Sequence, residues 1–347
     1  MDCARTPFAI QELVDLCIDF VCYLPADLAA CALVSRSWVH TAQRRLFAEV
    51  RIQPELGWSR LQDALHRSPH LIRHIHHLEL IATLPSICGF PFTHISSIVI
   101  RFEALLDEEK ALALQQLFSL PTLRRITFQC NSAVRTVWLK VWERVSPTIK
   151  HLHIGCWEGN RGPSDALSTL PATPINLDSL RIDHLDGFAG WIGNHFGGLK
   201  VLSLGIVVRV AWSEFVSAAP NLEALDIVIT SSSPQFDLTS LSRLSLLRLS
   251  VITATNEALV TLDGLLESIP HNGLRIVLYR PYPGVYDRLD YKISNLPTGH
   301  VSAVELEMPA QLYKHESREF PRLRLNNMLR QTDPVTEWDR MDINHYY

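Results

Sequence analysis

Apolar residues recur along this chain in a six-residue pattern, φ-x-x-φ-x-φ, where φ is apolar. The pattern reads FAEVRI from Phe47, IHHLEL from Ile75, ISSIVI from Ile95, LRRITF from Leu123 and IKHLHI from Ile149. It continues as LDSLRI from Leu177, LKVLSL from Leu199, LEALDI from Leu222 and LSLLRL from Leu244, then less regularly as LRIVLY from Leu274 and VSAVEL from Val301. Successive copies start 28, 20, 28, 26, 28, 22, 23, 22, 30 and 27 residues apart. The alternation closing each copy has the period of a β-strand with one buried face. Stripes of helical period lie between copies: Val134, Val137, Trp138, Val141 and Val145 form one, and Leu259, Leu262, Leu265, Leu266 and Ile269 another. Pro121, Pro147, Pro220 and Pro270 stop such helices just before the next strand. The expectation is an α/β fold with a parallel sheet, in which each unit buries its apolar side only by stacking on its neighbours.

Nearly all of these spacings fall in the window of roughly 20–29 residues that marks leucine-rich repeats, and residues 48–308 resemble that family. The resemblance implies a solenoid with a curved parallel sheet inside and helices outside. The family's buried Asn or Cys, eight positions after the first φ, is matched only by Asn131. The turns must therefore be hydrogen-bonded in some other way. Arg280 to His300, with Tyr282, Tyr286 and Tyr291, is the longest interruption between copies, and residues 309–347 lose the pattern and read as a cap or tail.

Upstream of the repeats the periodicity is purely helical. Ile10, Leu13, Val14, Cys17, Ile18 and Val21 follow one face of a helix that Pro7 precedes and Leu24-Pro25 ends. Asp27 is placed to cap a second helix, Leu28 to Val34, and Ser35 a third, from about Arg36 to Phe47. Three short helices in residues 5–47 bury little core alone, so a partner or the following repeats should complete them.

The segment Leu33-Val34-Ser35-Arg36-Ser37-Trp38, with Pro7, Leu13, Ile18 and the Asp27-Leu28 turn before it, resembles the F-box. Thr6 stands where that family has Leu before the proline. The resemblance implies that Pro7, Leu13, Ile18, Leu28, Leu33, Val34 and Trp38 contribute to a surface for the Skp-type adaptor of a cullin–RING ubiquitin ligase, or to the packing beneath it. It implies a substrate-recognition subunit, linked through the adaptor to a cullin, whose solenoid holds a target protein while other subunits transfer ubiquitin. The layout is similar to the large F-box families of mushroom-forming fungi. The alternative is a repeat scaffold outside any ligase, with residues 5–47 as a cap.

Composition narrows the remaining possibilities. The chain has 347 residues, a net charge of −4 and no apolar run of membrane-spanning length. A soluble protein of the cytoplasm or nucleus, binding neither nucleic acid nor membrane, is the expectation. The seven cysteines lack Cys-x-x-Cys spacing and read as small buried hydrophobes in a reducing compartment. No nucleophile–base motif is visible, Gly193 to Lys200 lacks the spacing of a phosphate loop, and no cofactor or metal is expected. The third and fifth residues of each copy point away from the core and would line the concave face of a solenoid. The candidate target contacts there are His77, Glu79, Arg125, Thr127, His151, His153, Arg181, Asp226 and Arg248.

Overall fold

The computed structural model describes residues 11–21, 24–53, 57–81, 92–102, 108–130, 144–156, 175–186, 196–208, 212–270, 273–279, 282–308 and 316–332. Three helices open it: α1 (Gln11–Val21), α2 (Pro25–Val34) and α3 (Arg36–Leu46). Pro25 begins α2 instead of merely ending α1, so Asp27 lies in the first turn and Leu24 takes the N-cap position. Ser35 is the N-cap residue of α3, but its hydroxyl pairs with that of Ser37 at 2.7 Å and caps no amide.

Twelve strands follow: β1 (Glu49–Ile52), β2 (His77–Ile81), β3 (Ser97–Phe102), β4 (Arg125–Cys130), β5 (His151–Cys156) and β6 (Ser179–Asp186), then β7 (Val201–Val208), β8 (Ala224–Ile229), β9 (Leu246–Val251), β10 (Leu274–Tyr279), β11 (Val301–Glu307) and β12 (Leu329–Thr332). They form one sheet, all parallel, in strict chain order. Because parallel crossovers are right-handed, a sheet that grows in one direction carries its connections on one side. That side holds α4 (Gly57–Arg67), α5 (Glu108–Phe118), α6 (Trp212–Ala218), α7 (Asn256–Glu267), α8 (Tyr286–Ser294) and α9 (Pro321–Leu325). The result is a solenoid-like sheet with one covered and one open face.

The fourth and sixth positions of the repeat build the core. Leu78, Ile98, Ile126, Leu152, Leu180, Leu202, Leu225 and Leu247 are in register along the sheet, all fully or almost fully buried, and the sixth-position residues two places on form a second row. Each such side chain contributes about 1.5–3 kcal/mol relative to exposure. Helix residues Leu114, Phe118, Leu262, Leu265, Leu289 and Ile293 complete the same cluster. The copy read as LRIVLY is one residue out of step. Ile276 and Leu278 align with Leu247 and Leu249 in the core, whereas Val277 pairs with Arg248 on the open face. Gly273, at φ +68°, occupies the first apolar position of that copy, and a one-residue slip exchanges the faces of a whole strand.

Turn bonding without an asparagine ladder follows a repeated scheme. The carbonyl of the residue just before one strand accepts two consecutive amides from the next unit. Ser96 O takes Arg124 N and Arg125 N at 2.8 and 3.0 Å, and Arg124 O takes Lys150 N and His151 N at 2.8 and 3.0 Å. Lys150, Asp178, Lys200 and Glu223 repeat the arrangement. The residue after Pro121, Pro147 and Pro220 adds a side-chain bond: Thr122 Oγ1 donates to Ile95 O at 2.8 Å, Thr148 Oγ1 to Leu123 O at 2.7 Å and Asn221 Nδ2 to Gly197 O at 2.7 Å.

Two regions differ from the expectation. The interruption after Arg280 contains a helix, and Tyr286, Leu289 and Ile293 of α8 are buried in the covered layer. The sheet does not end at 308, because β12 pairs with β11. The segment before β12 is fixed by the buried Asp290 carboxylate, which accepts the Arg322 and Leu323 amides at 3.1 and 2.9 Å and so caps α9. The stripe Val134–Val141 and Asn131 lie outside the described residues. Among the described residues, no helix is long and apolar enough to cross a membrane.

Candidate functional site

The two candidate surfaces are the N-terminal helices and the open sheet face. In the helical unit, Val14, Ile18, Leu28 and Ala42 form a small core of their own, with Cys31, Ala32, Trp38 and Leu46 packed against it. A polar clasp ties α1 to α3. Asp15 accepts from Thr41 Oγ1 and, at 2.9 Å, from Gln11 Nε2, with Arg44 at 3.5 Å, and Arg45 Nε bonds Asp19 at 2.7 Å. The Thr41 and Gln11 bonds, then the Arg44 charge, hold the Asp15 carboxyl below its usual range. The unit meets the repeats through α3. The His40 and His74 rings pack edge-to-face at 5.4 Å, and Gln43 Oε1 lies 3.3 Å from His70 Nε2.

α1 therefore has one face in the core and one in the clasp. The third face carries Leu13, Leu16 and Phe20, spaced as a helical stripe, and all three are exposed, Phe20 by 80%. Leu24, Leu33 and Val34 are exposed as well, Leu33 by 88%. These six are nearly half of the thirteen exposed large hydrophobics among the described residues, concentrated in one short unit. Clustered exposed apolar side chains of this kind mark interaction surfaces.

The seven residues of the F-box resemblance thus divide. Leu13, Leu33 and Val34 are exposed, Trp38 is half-buried against the small core, and Ile18 and Leu28 are buried within it. Pro7 lies outside the described residues. Leu16, Phe20 and Leu24 were missed, although Leu13, Leu16 and Phe20 form a second stripe beside the one that predicts the helix.

On the open face, strand register turns the candidate residues into rows. One row runs Glu49, His77, Ser97, Arg125, His151, Ser179, Val201, Ala224, Leu246. The next runs Arg51, Glu79, Val99, Thr127, His153, Arg181, Ser203, Asp226, Arg248. His77, Arg125, His151, His153 and Arg181 are partly accessible, and all of them lie within β2 to β6. Glu79, Thr127, Asp226 and Arg248 also point away from the helical layer, but they are buried and so are corrected from ligand contacts to structural groups. Strands only about 4.8 Å apart bring long side chains against one another, and opposite charges lock in place.

Three ionic groups result around the candidate residues, and Arg275 pairs with Glu305 at 3.7 Å farther along the same face. Glu79 bridges Arg51 and Arg101, the latter at 3.3 Å. Asp183 accepts from His153 Nε2 at 2.9 Å and Arg181 Nε at 2.8 Å. Burial alone would raise the Asp183 carboxyl, but the His153 bond and charge, with Arg181, bring it down to about 2. Gly155 makes this group possible, because a Cβ there would lie 2.8 Å from Asp183 Oδ2 and 2.9 Å from Gln129 Cγ. In the third group, Asp226 accepts from Ser203 at 3.0 Å and Arg248 at 3.2 Å, while Arg248 grips Glu307 and lies 4.1 Å over the Tyr279 ring.

Among the described residues, no cluster of three or more His, Cys, Asp or Glu side chains is arranged to hold a metal ion. His74 and His76 bond locally, to Arg73 and to the His94 carbonyl, and do not converge with His77. No family model matches the chain, and no curated protein matches it either.

Proposed function

We propose that this chain is the substrate-recognition subunit of a Skp–cullin–F-box ubiquitin ligase. The N-terminal helices grip the Skp-type adaptor, which links them to the cullin, and the open face of the sheet holds a target protein. Such a subunit supplies proximity, not reactive groups. The observation that carries the reading is the exposed set Leu13, Leu16, Phe20, Leu24, Leu33 and Val34, on the unit whose sequence resembles the F-box. A mere cap would turn its large apolar side chains toward the repeats it closes. Here α3 makes that junction, while these six remain uncovered.

The test is co-purification of the full chain with a recombinant Skp-type adaptor. Phe20→Glu and Leu33→Asp are each expected to abolish capture while leaving the circular dichroism spectrum and melting temperature of the chain unchanged. A folded wild-type chain that captures no adaptor at micromolar concentration sinks the proposal, leaving the scaffold alternative.

A further inference from the structure

The covered layer holds a cavity where its connections change type. β7 and β8 are joined through α6, and β9 and β10 through α7, but Thr230 to Ser245, between β8 and β9, contains no helix. That loop is fastened to both helical units. Trp212 Nε1 of α6 donates to the Asp237 carbonyl at 2.8 Å, and the Trp212 ring meets Phe236 edge-to-face at 4.9 Å. At the end of α7, Ser268 Oγ accepts the Leu238 amide at 3.0 Å. Gly264 within α7 leaves room for the loop, since a Cβ there would lie 2.8 Å from Gln235 Oε1. Phe236, Leu238 and Leu241 are buried in the core beneath. Between this loop and α6 lies a cavity of about 430 Å³, open to solvent. Small-ligand sites occupy roughly 300–1,000 Å³.

The lining is mixed. Trp212, Val216 and Pro220 give it an apolar wall, Gln235 and Ser240 add polar groups, and Asp237 is its one charged residue among those described. Asp237 Oδ1 accepts from Thr239 Oγ1 at 2.7 Å and from the Thr239 amide at 2.9 Å, and these bonds hold the carboxyl below its usual range. Among the described residues, Oδ2 takes no hydrogen bond and no cation pairs with Asp237. The Gln235 and Ser240 side chains are uncommitted as well.

We infer that this cavity receives an arginine side chain of a protein partner. One ionised carboxylate without a cation calls for a single positive charge, and the Gln235 and Ser240 oxygens can accept from a head with several donors. A guanidinium offers five N–H groups in one plane, against three on an ammonium. Its alkyl stem packs on Trp212, Val216 and Pro220. An anionic ligand would be repelled by Asp237, and a polyamine would leave its further charges unmatched. Little ordering is required on binding, because α6 and the end of α7 already fix the loop. The cavity lies in the helical layer, not on the open face, and the inference stands independently of the ligase assignment.

The experiment uses the purified full chain and three probes: N-acetylarginine N-methylamide, its uncharged citrulline isostere, and agmatine, which carries the same head without peptide flanks. Saturation-transfer NMR titrations should show saturable binding of the blocked arginine with a Kd of about 1–10 mM, and binding of citrulline weaker by about threefold or more. Asp237→Asn keeps the oxygen that accepts from Thr239 and removes only the charge. It should weaken the blocked arginine about three- to tenfold with an unchanged melting curve. Ser240→Lys leaves Asp237 in place but supplies a competing amine inside the cavity, and should abolish the same binding. Asp63→Asn, an exposed acid on α4 near the other end of the sheet, leaves it unchanged. No saturable binding up to about 50 mM, equal binding of arginine and citrulline, or indifference to both cavity substitutions in folded protein overturns the inference. Tighter binding of agmatine than of the blocked arginine overturns it too, by pointing to a free cation.

Discussion

Arg248 and Glu307 form a two-pronged ion pair across the open face, Nε to Oε2 at 2.7 Å and Nη2 to Oε1 at 2.9 Å, with Tyr279 of the intervening strand stacked beneath the guanidinium. Both residues are buried, and Asp226 shares the same guanidinium. Burial by itself would make Arg248 easier to deprotonate, but the two carboxylates more than reverse this and raise its affinity for the proton. Arg248→Ala strands two buried carboxylates. We predict a loss of about 3–5 kcal/mol in urea unfolding, larger than for Ser203→Ala, which removes a single hydroxyl bond.

Two glycines separate backbone from side-chain crowding. At Gly205, where the β7–β8 register shifts, a Cβ would sit 2.1 Å from the Asp183 carbonyl oxygen, an atom held by the sheet. Gly205→Ala should cost more than about 3 kcal/mol or prevent folding. Gly155→Ala meets only the Asp183 and Gln129 side chains, so about 1–2 kcal/mol is expected, through a weakened His153–Asp183 bond. Denaturant midpoints of the two variants test the order.

In α1, neighbouring positions have opposite roles. Ile18→Ala opens the small core and should lower the stability of the helical unit by about 2–4 kcal/mol, whereas Phe20→Ser should change it by no more than about 0.5 kcal/mol. Hydrogen exchange across α1 to α3, with and without the adaptor, measures both effects.

Acid should act on two sites in succession. Burial, then the nearby Arg73 and His40, lower the proton affinity of His74 from the usual 6.5. The unfolded chain then binds this proton more readily than the folded one, so stability from His74 is complete above pH 6.5 and falls as pH drops below it. His74→Gln should flatten that slope. Asp183, at about 2 against an ordinary 3.8, contributes stability that is full above pH 3.8 and lost as pH falls toward 2. Chemical denaturation between pH 8 and pH 3, the most acidic practical limit, resolves the first loss and the onset of the second.

The strands and their order were legible because a half-buried strand writes its period directly into the chain. Reading failed where that period was ambiguous. LRIVLY offers an apolar residue at five of its six positions, and only pairing with Leu247 and Leu249 decides that Ile276 and Leu278 face inward. β12, with Gln331 where the pattern wants an apolar residue, is an edge strand held by pairing with β11 and so escaped the pattern. On the open face the direction of each side chain was readable but its accessibility was not. Whether Asp226 awaits a ligand or is consumed internally depends on Arg248 and Glu307, residues from other strands. The same holds in α1, where Ile18 and Leu13 look equivalent in sequence, and only the position of α3 puts one inside.

Strict chain order of the strands also has a consequence for synthesis. As the polypeptide emerges, each new strand finds its partner already formed, so the sheet can be laid down progressively from β1 onward. Among the described residues the Arg248–Glu307 pair stands apart, joining residues 59 positions apart. Until β11 arrives, Arg248 has Asp226 but lacks its two-pronged partner. Ribosome-bound chains ending before Glu307 should therefore carry a loosened open face, tightened only near the close of translation.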